Sequence, residues 1–170
     1  LRNFEKINIK NKTGVDNNPV KSDRNVIKTD SDNFFLQNKE NFDIIFIDGL
    51  HLEHQVDKDL KNSLNVLSKD GFIIMHDCNP PTEFHQREKY EVNGKFPSWN
   101  GTTWKSYVKL RMNNDNLSMC CVDCDWGVGI IKKGSQQKYK TKQQLNYNLL
   151  EKQRSSMLNL ISVSEFINNY

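Results

Sequence analysis

Two uninterrupted apolar runs constrain this chain more than any other feature. Ile44-Ile45-Phe46-Ile47 lies in FDIIFIDGLH (residues 42–51), and Phe72-Ile73-Ile74-Met75 lies in GFIIMHD (residues 71–77). Neither run alternates with polar residues, so each is suited to burial on both faces, as inner strands of a parallel sheet are. Between them, Leu52, Val56, Leu60, Leu64 and Leu67 recur at spacings of four, four, four and three. That spacing draws one apolar stripe along a helix. Lys69-Asp70-Gly71 is expected to close the helix. Strand, helix and strand in this order predict a parallel β-α-β unit with a right-handed crossover.

The alternation extends in both directions. KTGVD (12–16) and NVIKT (25–29) read as short strands, and SDNFFLQNK begins like a helix with Ser31 or Asp32 as N-cap. Asn79-Pro80-Pro81 breaks the chain. Residues 79–101 are polar, aromatic and aperiodic, which predicts a long loop over the strand ends. TTWKSYVKLRMNN is the next expected helix, with Trp104, Val108 and Arg111 or Met112 on one side. LSMCCVDC and GVGIIKK are strands joined through Asp125-Trp126, a joint short enough to make them antiparallel neighbours. From Ser135 onward a helical, amphipathic stretch is expected, and Ser162 with Glu165 has the spacing of a capping box. The fold class that follows is α/β, with a mostly parallel sheet, an antiparallel last strand and helices on both faces. Residues 1–134 form the sheet domain, and residues 135–170 a C-terminal helical extension.

Composition narrows the function classes. The 170 residues suffice for one domain with a buried core. A net charge of +3, from 24 basic and 21 acidic residues, is too mild to argue for nucleic acid or an anionic membrane. No apolar run approaches the roughly 20 residues of a membrane span, and LRNFEKINIK lacks the apolar centre of a signal peptide. Cys120, Cys121 and Cys124 cluster, with Cys78 apart, which is a poor framework for disulfides. A reducing cytoplasm is the expected compartment. Cys121 and Cys124 have the spacing of half a zinc site with no second pair, so buried free thiols are expected instead.

The strand ends carry the chemistry. In an open parallel sheet, ligands bind outside the carboxyl ends of the strands. Three strands end on an acid there, Asp16, Asp48 and Asp77, and the NVIKT strand runs into Asp30-Ser31-Asp32. His51 and His76 lie beside two of these acids. Such acids also serve as helix N-caps and solvated loops, and His51 also reads as a solvent-facing residue at a helix start.

IDGLH followed by a helix, then a strand ending in HDCNPP, resembles the class I S-adenosylmethionine-dependent methyltransferases. The branch it resembles reads IDG-x-H followed by a glycine-led strand ending in HD. GVDNNP, SDNFF, WNGTTWK and DWGVGII are similar to further segments of that branch, so the resemblance spans roughly residues 12–134. It implies a Rossmann-like sheet with S-adenosylmethionine as cofactor. Asp16 would accept hydrogen bonds from the ribose hydroxyls. Ser31 and Asp32 would lie near the adenine, and Asp48 with Gly49 beside the methionine moiety and the transferring methyl. Some relatives hold a divalent ion at this edge. Asp48, His76 and Asp77 match those positions, for Mg²⁺ or, given an imidazole donor, for Mn²⁺, Fe²⁺ or Zn²⁺. His51 is the candidate general base, with Asp48 beside it. The loop 79–101, with Trp99-Asn100-Gly101, is expected to cover the acceptor.

The family's first motif, a strand ending in a glycine-rich turn, belongs before GVD. This chain opens on LRNFEKI, which resembles the helix after that turn. The first strand and its loop are therefore expected to be missing from it. An exposed strand edge would then favour a homodimer. The reading is O-methylation of a small-molecule or glycan hydroxyl, with no nucleic-acid or membrane partner. Two alternatives stay open: a non-catalytic Rossmann-like scaffold that has lost its cofactor, and a nicotinamide-dependent oxidoreductase. The latter also uses an acid after its second strand, but would need a G-x-G-x-x-G turn.

Overall fold

The computed structural model describes residues 4–19 and 25–169. The chain divides into two compact units, Leu1–Glu40 and Asn41–Tyr170. In the first unit a 3-10 turn (Phe4–Lys6) precedes strands β1 (Gly14–Asp16) and β2 (Val26–Lys28), which pair in parallel. Helix α1 (Ser31–Gln37) follows. Its N-cap is Asp30, not Ser31 or Asp32. Asp30 Oδ1 accepts from the Asn33 N–H at 2.7 Å, and Asp30 Oδ2 accepts from the Asn33 amide at 2.7 Å. One residue thus satisfies both the helix end and its neighbour, and Ser31 becomes the first helical residue.

The second unit is built on a five-stranded sheet. Its elements are β3 (Phe42–Ile47), α2 (Glu53–Val66), β4 (Leu67–Met75), α3 (Thr103–Asn113), β5 (Leu117–Val122), β6 (Val128–Lys133), α4 (Tyr147–Leu158), β7 (Leu160–Ile161) and α5 (Val163–Asn169). The strand order is β3-β4-β6-β5-β7. β3 and β4 are parallel, as are β5 and β7, and β6 runs antiparallel to both of its neighbours. The expected hairpin of β5 and β6 is present, and β6 is the one reversed strand.

Alternation along β4 and β5 separates two cores. Ile73, Met75, Met119, Cys121 and Ile131 face α2, α3 and α4, where Val56, Leu60, Trp104, Tyr107, Val108, Leu150 and Met157 are all buried. Phe72, Ile74, Cys120, Val122 and Ile130 face the other way, where Phe166 of α5 packs. Trp104 is fully buried and its indole N–H donates to Gln86 Oε1 at 3.0 Å, so it belongs to the core.

Three local expectations change. Helix α2 stops at Val66, and Leu67 is already extended, with φ −75° and ψ 126°. The chain passes from helix to strand without a glycine cap, because Leu67 reaches the core better from the strand, where it is 4% exposed. Gly71 serves β4 instead. A side chain there would press on the Asp43 carbonyl at 2.9 Å, where the β3–β4 register shifts. Residues 135–146 form no helix; that stretch is rich in Gln and Lys and offers no apolar face. Helix α4 starts only where Asn146 caps it, its Oδ1 accepting from the Leu149 N–H at 3.0 Å. The Ser162–Glu165 capping box forms as expected. Cys78, Cys120 and Cys121 are buried free thiols, but Cys124 is exposed in the turn after β5. No helix among the described residues is long and apolar enough to cross a membrane.

Ile131 is fully buried at the centre of the sheet, whereas Ile167 on α5 is 72% exposed. Ile131→Ala is expected to lower stability by about 2–5 kcal/mol, and Ile167→Ala by no more than about 0.5 kcal/mol, both read from urea unfolding.

Candidate active site at the strand ends

Parallel pairing of Ile47 with Met75 puts the next residues of both strands at one edge. The His76 N–H donates to the Ile47 carbonyl at 3.1 Å, extending the ladder one step. Asp48, His51, His76 and Asp77 meet there. Asp77 is 2% exposed and has φ 62°, in the left-handed region that Asp tolerates better than most residues. Its Oδ2 lies 3.2 Å from His51 Nδ1 and 3.1 Å from His76 Nδ1. Asp48 Oδ1 lies 3.4 Å from His51 Nε2 and 3.5 Å from His76 Nδ1. A fifth group joins from the β5–β6 turn: Asp125 Oδ2 stands 3.1 Å from His76 Nε2. That turn is pinned to β4, since the Cys78 and Asn79 N–H groups donate to the Gly127 and Trp126 carbonyls.

His51 is held on every side. Its ring stacks on Trp99, with centroids 5.1 Å apart and planes 19° apart. Its Nδ1 also faces the Trp99 carbonyl at 3.4 Å. Its own carbonyl accepts from the Thr102 N–H at 2.8 Å. Gly101, at φ 60°, lies so close that a side chain would meet that carbonyl at 1.9 Å. Thr102 Oγ1 accepts from the Glu53 N–H at 2.7 Å, so a distant residue caps α2 where its own N-cap, Leu52, offers no oxygen. Asn100 is fully buried and donates from its amide to Asp77 Oδ1 at 2.7 Å.

The loop 79–101 thus reaches the site mainly through residues 99–101, which pack on His51 and Asp77. Its order comes from Arg87, whose guanidinium donates to the carbonyls of Phe84, Tyr90, Pro97 and Ser98. Tyr90 also stacks on Trp99, with ring centroids 5.2 Å apart. His54 is exposed, and His85 lies within the loop, its carbonyl accepting from the Asn100 and Gly101 N–H groups.

The charges act on both imidazoles. Burial disfavours the His51 imidazolium, but the hydrogen bond to Asp48 and the charges of Asp77 and Asp48 outweigh it and raise the pKa above the usual 6.5. For His76 the hydrogen bond to Asp77 is the largest influence. With the charge of Asp77 and the contact with Asp125, it overcomes burial and pushes the pKa up to about 9.

Asp48, His51 and Asp77 also offer three donor atoms within 4.8 Å of one another. The set resembles the expected one, with His51 in the place of His76. Gly49 follows Asp48 and has open space where a side chain would stand. Asp16, Ser31 and Asp32 lie in the first unit. Asp16 ends β1, and its Oδ1 accepts from the Asn18 N–H at 2.8 Å. Ser31 and Asp32 open α1.

Residues 4–78 match the model of a family described as a methyltransferase domain. Among solved structures, the SAH-bound methyltransferase PaMTH1 of Podospora anserina is similar, with a TM-score of 0.50 and 18% identity. The match covers 65% of this chain and 49% of that one. A protein of Corynebacterium glutamicum has a TM-score of 0.44 and 8% identity over 70% of this chain and 52% of its own. The chain therefore spans about half the length of these structures. No curated protein matches it. The family match covers less than half of the chain, and the likeness to PaMTH1 is one of fold.

The raised pKa of His76 has a direct consequence. A folded value of about 9 against an ordinary 6.5 means that its stabilisation is complete below pH 6.5 and is lost as pH rises through about 9. In EDTA, the melting temperature of the wild type is expected to fall between about pH 7 and about pH 9.5, and that of His76→Gln to fall less. Parallel curves for the two proteins would refute the pairing.

Proposed function

We propose that this site methylates a hydroxyl of a small-molecule or glycan acceptor, with S-adenosylmethionine as donor and His51 as general base. The family match and the fold support the donor. One observation carries the base: His51 Nδ1 rests on the buried Asp77 carboxylate while its ring is fixed by Trp99. With Nδ1–H donated to Asp77, Nε2, which Asp48 Oδ1 faces at 3.4 Å, is the atom that takes a proton; this tautomer is assigned from the contacts.

S-adenosylmethionine supplies a methyl group on a cationic sulfur, activated for in-line displacement. A hydroxyl presented to Nε2 would give up its proton there, while the bound donor would supply the methyl group and keep the sulfur electron pair. Asp77 and Asp48 hold the charge that the imidazole gains. The remaining burden is alignment of the two reactants, which a rigid strand end supplies. A cleft of about 450 Å³ opens beside Asp125, lined by Asp123, Trp126, Tyr147, Glu151 and Arg154. Its size and its mix of polar groups with aromatics suit a small polar acceptor.

A second reading rests on the three-donor set of Asp48, His51 and Asp77. Two carboxylates and one imidazole fit Mn²⁺, Fe²⁺ or Zn²⁺ better than Mg²⁺, which favours all-oxygen sites. A cation there would lower the pKa of the acceptor hydroxyl.

Because the His51 pKa is raised, its base form is populated on the alkaline side. The methylation rate is expected to climb with pH through that value. His51→Gln should flatten the profile and lower the rate by about 10²–10⁴-fold. Chelation separates the readings: loss in EDTA with rescue by Mn²⁺ supports the cation, and indifference to EDTA supports His51 alone. Donor binding is checked by calorimetric titration with S-adenosylhomocysteine, where Asp48→Ala is expected to weaken binding. Asp16→Ala in the same titration tests the ribose reading separately. Absence of binding by the wild-type chain would overturn the donor assignment for this chain.

A further inference from the structure

Four consecutive residues, Trp99 to Gly101 at the end of the loop and Thr102 after it, each touch His51 or its acidic partner. Three of them act on His51 directly. Asn100 does not: it reaches only Asp77, and at a cost. Its amide nitrogen donates to Asp77 Oδ1, but its own Oδ1 is buried with no hydrogen-bond partner among the described residues. Turning the amide over would set that oxygen against the Asp77 carboxylate, so the arrangement shown is the favourable one. A buried carbonyl without a partner is a poor choice if the residue serves stability alone.

The amide gives Asp77 direction. The Asp77 backbone is left-handed, and its carboxylate must present a single oxygen, Oδ2, to two imidazole nitrogens at 3.2 and 3.1 Å. Turning the carboxylate plane out of this orientation would carry Oδ2 away from both nitrogens. The donor on Oδ1 blocks that rotation. Asn100 is itself fixed, because its backbone N–H donates to the His85 carbonyl at 2.9 Å.

We infer that Asn100 is a positioning residue, which orients the Asp77 carboxylate and through it the His51 ring. This rests on the reading of His51 as the base. The same orientation would serve Asp77 as a cation ligand, where partners of the ligands typically matter by about 10–100-fold.

The test uses Asn100→Leu, which removes the donor together with the unpartnered acceptor. Asn100→Asp keeps the shape and stands in if the first variant fails to fold. The first readout is the hydrogen-bonded His51 Nδ1–H proton, followed by long-range ¹H–¹⁵N NMR at one fixed pH in EDTA. The wild type is expected to show one such signal. Either variant is expected to lose it or split it, with the circular dichroism spectrum unchanged. The second readout is methyl transfer: kcat should fall about 10–100-fold with little change in KM. In an Asp77→Asn background, Asn100→Leu should then cause no further fall. An unchanged signal in a folded variant, or effects that multiply in the double variant, would overturn the inference. If His51→Gln keeps full activity while the signal still depends on Asn100, the base reading fails and the positioning role stands.

Discussion

A carboxylate taken out of water has to be compensated by its own neighbours, and at Asp77 the compensation comes from three separate parts of the second unit. His76 is its chain neighbour, His51 follows β3, and Asn100 ends the long loop. The backbone at Asp77 is left-handed, so this carboxylate is turned out of the direction in which β4 would have carried it. Without it, two imidazoles would lose a shared anion and a buried amide would lose its acceptor. The strand ends, the start of α2 and the 99–102 segment are therefore one arrangement, in which no part can be altered independently.

The sheet makes that arrangement available. Parallel neighbours deliver their final residues to the same edge, and the backbone bond from His76 to Ile47 fixes the two exits side by side. Helix α2 then starts just after His51, and its N-cap, Leu52, carries no side-chain oxygen to close it. Thr102 supplies the missing oxygen while its N–H holds the His51 carbonyl. One residue thus closes a helix end and braces the candidate base. Local stability and site geometry are coupled through it.

The β-α-β unit is legible in the sequence because its signals are local: two apolar runs, one stripe and an acid at each strand end. Asp48, His51, His76 and Asp77 are legible for the same reason, being next to those runs. The end of α2 is not, because the choice between a glycine cap and an early strand at Leu67 was decided by core packing. Asn100 is separated from Asp77 by 23 residues, and Trp99 from His51 by 48. Their placement depends on a loop ordered by one guanidinium binding four backbone carbonyls, and carbonyls carry no sequence signature. Trp99-Asn100-Gly101 could be read from its composition as a cover for the acceptor. Its packing around His51 and Asp77 needed the fold.

Charge links the two chemical readings of the site. Asp48, Asp77 and Asp125 face His51 and His76. With the carboxylates ionised and only His76 charged, two negative charges remain in excess; with both imidazoles charged, one remains. The cluster favours a further positive charge in either state, which suits a cationic sulfur as well as a metal ion. A proton and a metal at the Asp48–His51–Asp77 set compete for the His51 imidazole. Raising the pH frees the ring for both uses. An alkaline rise in rate is therefore common to base catalysis and to cation binding, and only the response to chelation tells which one the site has adopted.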